Sequence, residues 1–331
     1  MRRKNKLLLL KFVSLFSVVR GYNIPIIALA QYLSAVFILS PTSMPALEVI
    51  LDFKLFLLVL ASSLAIASGY IINNFYDSEK DLINRPHKSM LDRLVSKSTQ
   101  LYVYFTLNFI VVGLGFLVSW RVALFYSAYI FLIWFYSHKL KKYPIIGNIT
   151  AANLAVLPFF GILIYYAKLD DFKYLRDIEY GIIFWHATFL IFLLLIRELV
   201  KDLENLPGDF VNKYKTVPVV YGDRTAKVMI SALSALTILP VYMLVERYNV
   251  GYMDLYFYAC LIVLVFFVPM VWKFDAQKQF VRLHFLLRLL IVAGVFSIVL
   301  IDPSVLMHGR QRIEKTIQQT TIDVGDFNLD G

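Results

Sequence analysis

The chain has a single cysteine, Cys260, inside an apolar run. One thiol excludes a disulfide framework and a cysteine-ligated zinc site. We read Cys260 as a small buried residue. Charge is scarce as well. Only 17% of residues are Asp, Glu, Lys or Arg, against 59% that are hydrophobic. That balance cannot clothe a soluble domain, so none of any size is expected. Acids are nearly missing from the long apolar runs, and no inverted half-repeat is visible. Both absences weigh against a transporter or channel, which would place acids near the bilayer midplane. Ion or solute transport stays open only as an alternative class.

What the chain does have is apolar length. A spanning helix needs about 20 mostly apolar residues. Nine such runs are centred near positions 32, 63, 110, 129, 156, 189, 236, 263 and 293. The expected fold is therefore an all-α integral membrane protein with nine transmembrane helices. The net charge of +10 invites a nucleic-acid reading, but the distribution of the charge argues otherwise. With the N-terminus in the cytoplasm and the C-terminus outside, 24 of the 33 basic residues fall on cytoplasmic segments. That is the positive-inside bias of a multi-pass protein in the cell membrane. No nucleic-acid partner is expected, and no obligate protein partner is inferred. Residues 1–21 imitate a signal peptide, but Lys11 interrupts the apolar stretch and no small-residue cleavage site follows. They are read as an interfacial helix. Residues 22–302 form the membrane domain. Residues 303–331 form a polar tail outside the membrane.

Two acidic stretches stand out, each at the predicted cytoplasmic end of an even-numbered span. The first, "NNFYDSEKD" at 73–81, spaces Asn73, Asp77 and Asp81 by four. The second places Glu198, Asp202, Asn205 and Asp209 at offsets 0, 4, 7 and 11. Each set shares one helical face. Pro207-Gly208 is expected to break the helix, leaving Asp209 on a turn. Like charges four apart repel by about 0.2–0.5 kcal/mol, so these stripes do not serve helix stability. A shared cation would remove the repulsion. The ligands are all oxygens, which suits magnesium. Magnesium commonly adds substrate phosphate oxygens to one or two carboxylates. With Arg85, Lys88, Lys201 and Lys215 nearby, the two stripes can bind a diphosphate. A solvated helix end is the plain alternative for either stripe alone.

These residues resemble the paired motifs of the UbiA-type intramembrane prenyltransferases. The first reads Asn73-Asn74-x-x-Asp77-x-x-x-Asp81 and the second Asp202-x-x-Asn205-x-x-x-Asp209. The likeness runs from about Arg20 to Ile301 and takes in "NRP" at 84–86 and "KTVPVVYG" at 215–222. The wording is closest to the branch that makes geranylgeranylglyceryl phosphate ethers. Enzymes prenylating aromatic acids for quinones are the alternative. The resemblance implies a helix bundle around a central cavity that opens toward the cytoplasm. It implies magnesium as cofactor, and as partners a prenyl diphosphate and a membrane-associated acceptor. Carried over residue by residue, it makes Asp77, Asp81, Asp202 and Asp209 catalytic. Asn73, Asp77 and Asp81 would hold one magnesium, and Asp202, Asn205 and Asp209 the other. Arg20, Asn23, Arg85, Lys88, Asn148, Lys201 and Lys215 would contact substrate.

Three departures matter. Asn74 and Asn205 stand where the family has aspartates, and Lys88 where it has an arginine; the amides raise the alternative of a catalytically retired member. Lys139, Lys141 and Lys142 are read as topology signals. Tyr76, Tyr136 and Tyr143 are candidates to face an allylic cation, at about 0.5–2 kcal/mol each. Asn153 is a second candidate for the cavity wall. His186 is placed toward the outer half and left out of the site.

Overall fold

The computed structural model describes residues 3–40, 44–167, 180–248 and 250–302, so the expected tail lies outside the described residues. Every described element is helical. In chain order they are α1 (Arg3–Val18), α2 (Ile24–Leu39), α3 (Ala46–Leu51), α4 (Phe53–Asp77), α5 (Lys80–Asn84), α6 (Pro86–Asp92) and α7 (Lys97–Val118). Then come α8 (Trp120–His138), α9 (Ile146–Tyr166), α10 (Tyr180–Val211), α11 (Val217–Tyr221), α12 (Asp223–Arg247), α13 (Gly251–Lys273) and α14 (Gln277–Leu300).

Seven of these, α4, α7, α9, α10, α12, α13 and α14, are long and apolar enough to cross a membrane. The shorter apolar α2 and the aromatic-rich α8 occupy the two other places where spans are expected. The outward faces are apolar. Phe109 is 83% exposed, and Phe105, Phe116, Leu255 and Val265 are exposed too. Such a surface is stable against lipid tails and would be a liability in water.

Local sequence sets the ends of the helices. Ser96 accepts from the Thr99 N–H, Ser119 from Val122 and Asp52 from Lys54, so each caps a first turn. Pro25, Pro86 and Pro218 occupy first turns, where no N–H is missed. At the α7–α8 crossing, a Cβ on Gly115 would lie 2.7 Å from the Ala123 Cα, so only glycine permits the approach.

Two large apolar clusters form most of the core, beside a small third one of Ala152, Val156 and Leu194 between α9 and α10. One joins α4, α7, α8 and α9, and the other joins α10, α12, α13 and α14. Inside the bundle, polar side chains act as glue. Gln31 on α2 donates to the Ser62 hydroxyl on α4 at 2.9 Å. Tyr126 and Tyr129 on α8 donate to carbonyls of α4 and α9. Below the bundle, α1 is tied to α6, where Ser17 donates to Asp92 at 2.7 Å.

Two expectations are corrected here. The first acidic stripe is not one helix. α4 ends at Asp77, and Asp81 belongs to α5 after a turn at Ser78 and Glu79. The second stripe is not broken. α10 runs through Pro207 to Val211, and Asp209 lies within it. The reason is tertiary. The Gly208 N–H is taken up at 3.0 Å by the Asn84 side chain of α5, so the backbone beside the proline keeps a partner.

Candidate active site

A cavity of about 1000 Å³ lies between the two apolar clusters. Its polar end is where α4 finishes, α9 begins and α10 approaches its C-terminus. Its other end is lined by Leu39, Phe159, Leu163, Ile183, Met253 and Ile298. Ile183 and Asp202 both line it, 19 residues apart on α10, which is about 28 Å of helix. One cavity thus holds a charged head and a long apolar channel.

At the polar end, carboxylates meet lysines. Asp77 Oδ1 accepts from Lys141 Nζ at 2.8 Å and from the Tyr214 hydroxyl at 3.0 Å. Lys141 also donates to Asn73 Oδ1 at 3.1 Å. Lys80 pairs with Asp209 at 2.6 Å. Across the cavity, Asp202 Oδ2 accepts from Asn148 Nδ2 at 2.7 Å and has no ion pair among the described residues. Glu198 is shared by Arg197 and Lys201, each at 2.6 Å.

The field differs from place to place. Burial lowers the Lys141 pKa, and attraction to Asp77 restores only part of it. Burial acts on Lys80 in the same sense, but Asp77 and Asp209 outweigh it and the net shift is upward. Asp81 is pushed up, first by burial and then by the Asp77 charge.

The structure brings most of the expected residues to this cavity: Arg20, Asn23, Asn73, Asp77, Asp81, Arg85, Lys88, Asn148, Lys201, Asp202 and Asn205 line it. Three placements differ. Lys215 is exposed and off the lining, because only its flanking residues Tyr214 and Thr216 are drawn into the fold. Asp209 is fully buried behind the wall, held by Lys80 and Thr216. Lys88 lines the cavity but is paired with Asp92 at 2.7 Å.

Other residues enter or leave the site. Lys141, read as a topology signal, is a wall residue, whereas its neighbour Lys142 is exposed. Tyr136 and Tyr143 line the cavity and Tyr76 does not. Asn153 is exposed and caps its own helix carbonyl at Ile149. Asn74 turns away and donates to Asp92 at 3.0 Å. His186 lines the cavity, as do Lys80, Arg197, Glu204, His284 and Arg288, which the motif reading passed over. The signal for Arg197 and Arg288 was in the sequence, since an arginine within an apolar span is itself a functional marker.

The donors fit a hard cation only in part. Among the described residues, no three His, Cys, Asp or Glu side chains stand close enough to enclose an ion. The open remainder suits magnesium, which completes its shell with water and phosphate oxygens.

The model of the UbiA prenyltransferase family matches residues 28–294. The chain belongs to the UbiA prenyltransferase family. Among its relatives, the digeranylgeranylglyceryl phosphate synthase of Thermococcus gammatolerans is 29% identical over 264 residues, which is 77% of this chain and 88% of that protein. The synthase of the same name from Methanobrevibacter smithii is 27% identical over 224 residues, covering 64% and 75%. The UbiA fold is shared with a digeranylgeranylglyceryl phosphate synthase solved in membranes, at TM-score 0.63 and 18% identity over 88% of this chain and 98% of that one. It is also shared with a UbiA homolog from Archaeoglobus fulgidus bound to GPP and Mg2+, at TM-score 0.61 and 15% identity over 86% and 99%. The protein is thus a multi-pass, all-helical membrane prenyltransferase.

Lys141 separates the cavity from its surroundings experimentally. Lys141→Ala removes a buried charge that faces Asp77. A charge-assisted hydrogen bond contributes about 1.5–3 kcal/mol, so donor binding is expected to weaken roughly 10- to 150-fold. Lys215→Ala, at an exposed position, is expected to change it by no more than about twofold. Calorimetric titration with a prenyl diphosphate compares the two.

Proposed function

We propose that the protein transfers a geranylgeranyl group from geranylgeranyl diphosphate to geranylgeranylglyceryl phosphate, building an ether lipid, and that magnesium is required. The observation that carries this reading is the single cavity with a charged head and an apolar channel. The names of the relatives support the acceptor. The ligands named for the Archaeoglobus fulgidus homolog support the donor class and the metal. The charge bias of the loops supports a site facing the cytoplasm across the cell membrane.

The reaction breaks the donor C1–O bond, and the electron pair leaves with pyrophosphate. The acceptor hydroxyl oxygen forms the new C–O bond and gives up its proton. Asp77, Asp81 and Asn73 on one side, and Asp202 with Asn205 on the other, are the residues that would hold magnesium. When bound, it supplies positive charge to the departing pyrophosphate. Lys80, Lys141 and Lys201 contribute fixed positive charge at the same end, already positioned before reaction. Tyr136 and Tyr143 line the same cavity, where their rings would stabilise the allylic cation. The apolar channel holds the chain and keeps water from the cation. Asp209, in this account, positions Lys80 rather than touching substrate.

The test is an acceptor panel in nanodiscs with labelled geranylgeranyl diphosphate and magnesium. Geranylgeranylglyceryl phosphate is expected to accept the label. Transfer to dihydroxynaphthoate or hydroxybenzoate alone would move the protein to quinone synthesis.

A further inference from the structure

Beside the carboxylate–lysine end, the cavity wall carries a second set of charges of different kind. On α10, Arg197 and Glu204 are seven residues apart and share a face. At 3.6 residues per turn, that face is turned about 120° from the one bearing Asp202 and Asn205. Glu204 is buried and anchors a chain of contacts. Arg85 donates to its Oε1 at 2.6 Å, and His284 Nδ1 meets its Oε2 at 2.5 Å. Arg288 Nε then donates to His284 Nε2 at 3.3 Å. That contact fixes His284 with its proton on Nδ1, pointing at Glu204.

The chain of contacts consumes Glu204 and leaves the arginines in excess. Arg288 and Arg20 form no ion pair among the described residues; Arg20 only stacks on Tyr70, 5.0 Å from the ring centroid. Arg20 is held with a φ of 50°, in the sparsely populated left-handed region. Arg197 shares Glu198 with Lys201, and its Nε–H is buried without an acceptor. Arg20, Arg85, Arg197 and Arg288 come from four separate segments, and all line the one cavity. A wall that gathers like charges at depth and leaves a buried N–H unsatisfied is completed by an anion.

We propose that Arg20, Arg197 and Arg288 form a second anion site that takes the phosphate of the acceptor lipid. The site rests on the prenyl-transfer reading only in supposing that the acceptor bears a phosphate. The donor end mixes carboxylates with lysines, which suits a diphosphate carried with a metal. The arginine wall keeps both of its acids, Glu198 and Glu204, engaged and offers planar N–H forks, which bind a phosphate directly. Asp81 lies within electrostatic reach of Asp77 on one side and of Arg85 and Arg20 on the other, so the two anion sites adjoin. Adjacent sites are what bond formation between two anionic substrates needs, and fixed arginines offset the repulsion between their phosphates.

The experiment measures equilibrium binding of labelled geranylgeranylglyceryl phosphate to the full chain in detergent, without magnesium or donor. Wild type is compared with Arg288→Gln and Arg197→Gln at a temperature where unfolding curves show all three folded. Magnesium-dependent binding of geranylgeranyl diphosphate is read in parallel. The expected result is acceptor binding weakened roughly 10- to 100-fold in both variants, with donor binding held within about twofold. Geranylgeranylglycerol, which lacks the phosphate, is expected to bind wild type as weakly as the phosphate lipid binds the variants. Unchanged acceptor affinity in both variants overturns the site. Equal loss of donor binding assigns the arginines to the diphosphate and also overturns it. Displacement by inorganic phosphate or hydroxybenzoate at matched concentration overturns the lipid-phosphate assignment. Wild type that binds the phosphate lipid through these arginines but transfers no prenyl group keeps the site and ends the prenyl-transfer reading. Wild type that transfers, with an acceptor KM untouched by Arg288→Gln, does the reverse.

Discussion

Asp202→Ala is expected to lower the rate of prenyl transfer by roughly 10²- to 10³-fold, the usual cost of removing one preorganised charge from a transition state. Asp202 lines the cavity, and its one side-chain partner is the Asn148 amide. A carboxylate without a cation in such a place is ready to share one. Its removal takes away charge that no neighbour replaces, and it leaves the Asn148 N–H group unpaired. Glu198 cannot substitute, because Arg197 and Lys201 already hold it. The loss should fall on kcat and kcat/KM together, as for an interaction strongest in the transition state. Steady-state kinetics on purified protein of unchanged melting temperature checks this. Turnover within about threefold of wild type would remove Asp202 from the reaction centre.

Glu204→Ala has the second largest expected effect, and it falls on stability. Glu204 is 5% exposed and accepts from Arg85 before α6 and from His284 on α14. Removing the carboxylate leaves the buried His284 N–H without an acceptor and Arg85, 27% exposed, without its partner, a cost toward the lower end of the about 3–5 kcal/mol for a broken buried pair. The substitution therefore removes one polar tie of α10 to Arg85 and one to α14. Denaturant unfolding in detergent should show a lower midpoint at unchanged slope. A midpoint equal to wild type would mean that water replaces the carboxylate without cost, and that the bridge does not hold these segments together.

The helices were legible because a bilayer imposes a length that a one-dimensional reading can measure. α8 is the hardest of them, since Arg121 and its tyrosines and tryptophans dilute the apolar run. Pro207 was misread for a tertiary reason. The group that satisfies Gly208 is Asn84, more than a hundred positions earlier. The carboxylates of the site were legible because their spacing repeats on two segments. Their cations were not. Lys141 and Lys142 are adjacent in one basic loop, and only the fold decides that the first enters the cavity. Arg197 and Arg288 carry a signal of their own, since an arginine at depth within an apolar span marks a functional position.

The Asn74 departure also acquires a physical reason. Its amide donates to Asp92, which already accepts from Ser17 and Lys88. An aspartate at 74 would set carboxylate against carboxylate. Because Asn74 does not face the cavity, its amide removes no charge from the reaction centre. Asn205 does line the cavity and leaves that wall one charge poorer. In the proposed mechanism, Asp202 then supplies more of that wall's charge.

In the proposed mechanism the acidic wall ionises a prenyl diphosphate with the help of magnesium. The most direct measurement is product formation from labelled geranylgeranyl diphosphate and geranylgeranylglyceryl phosphate, before and after chelation with EDTA. Product is expected with magnesium, none after chelation, and recovery when magnesium is restored. Product formed at the same rate without a divalent cation would contradict it.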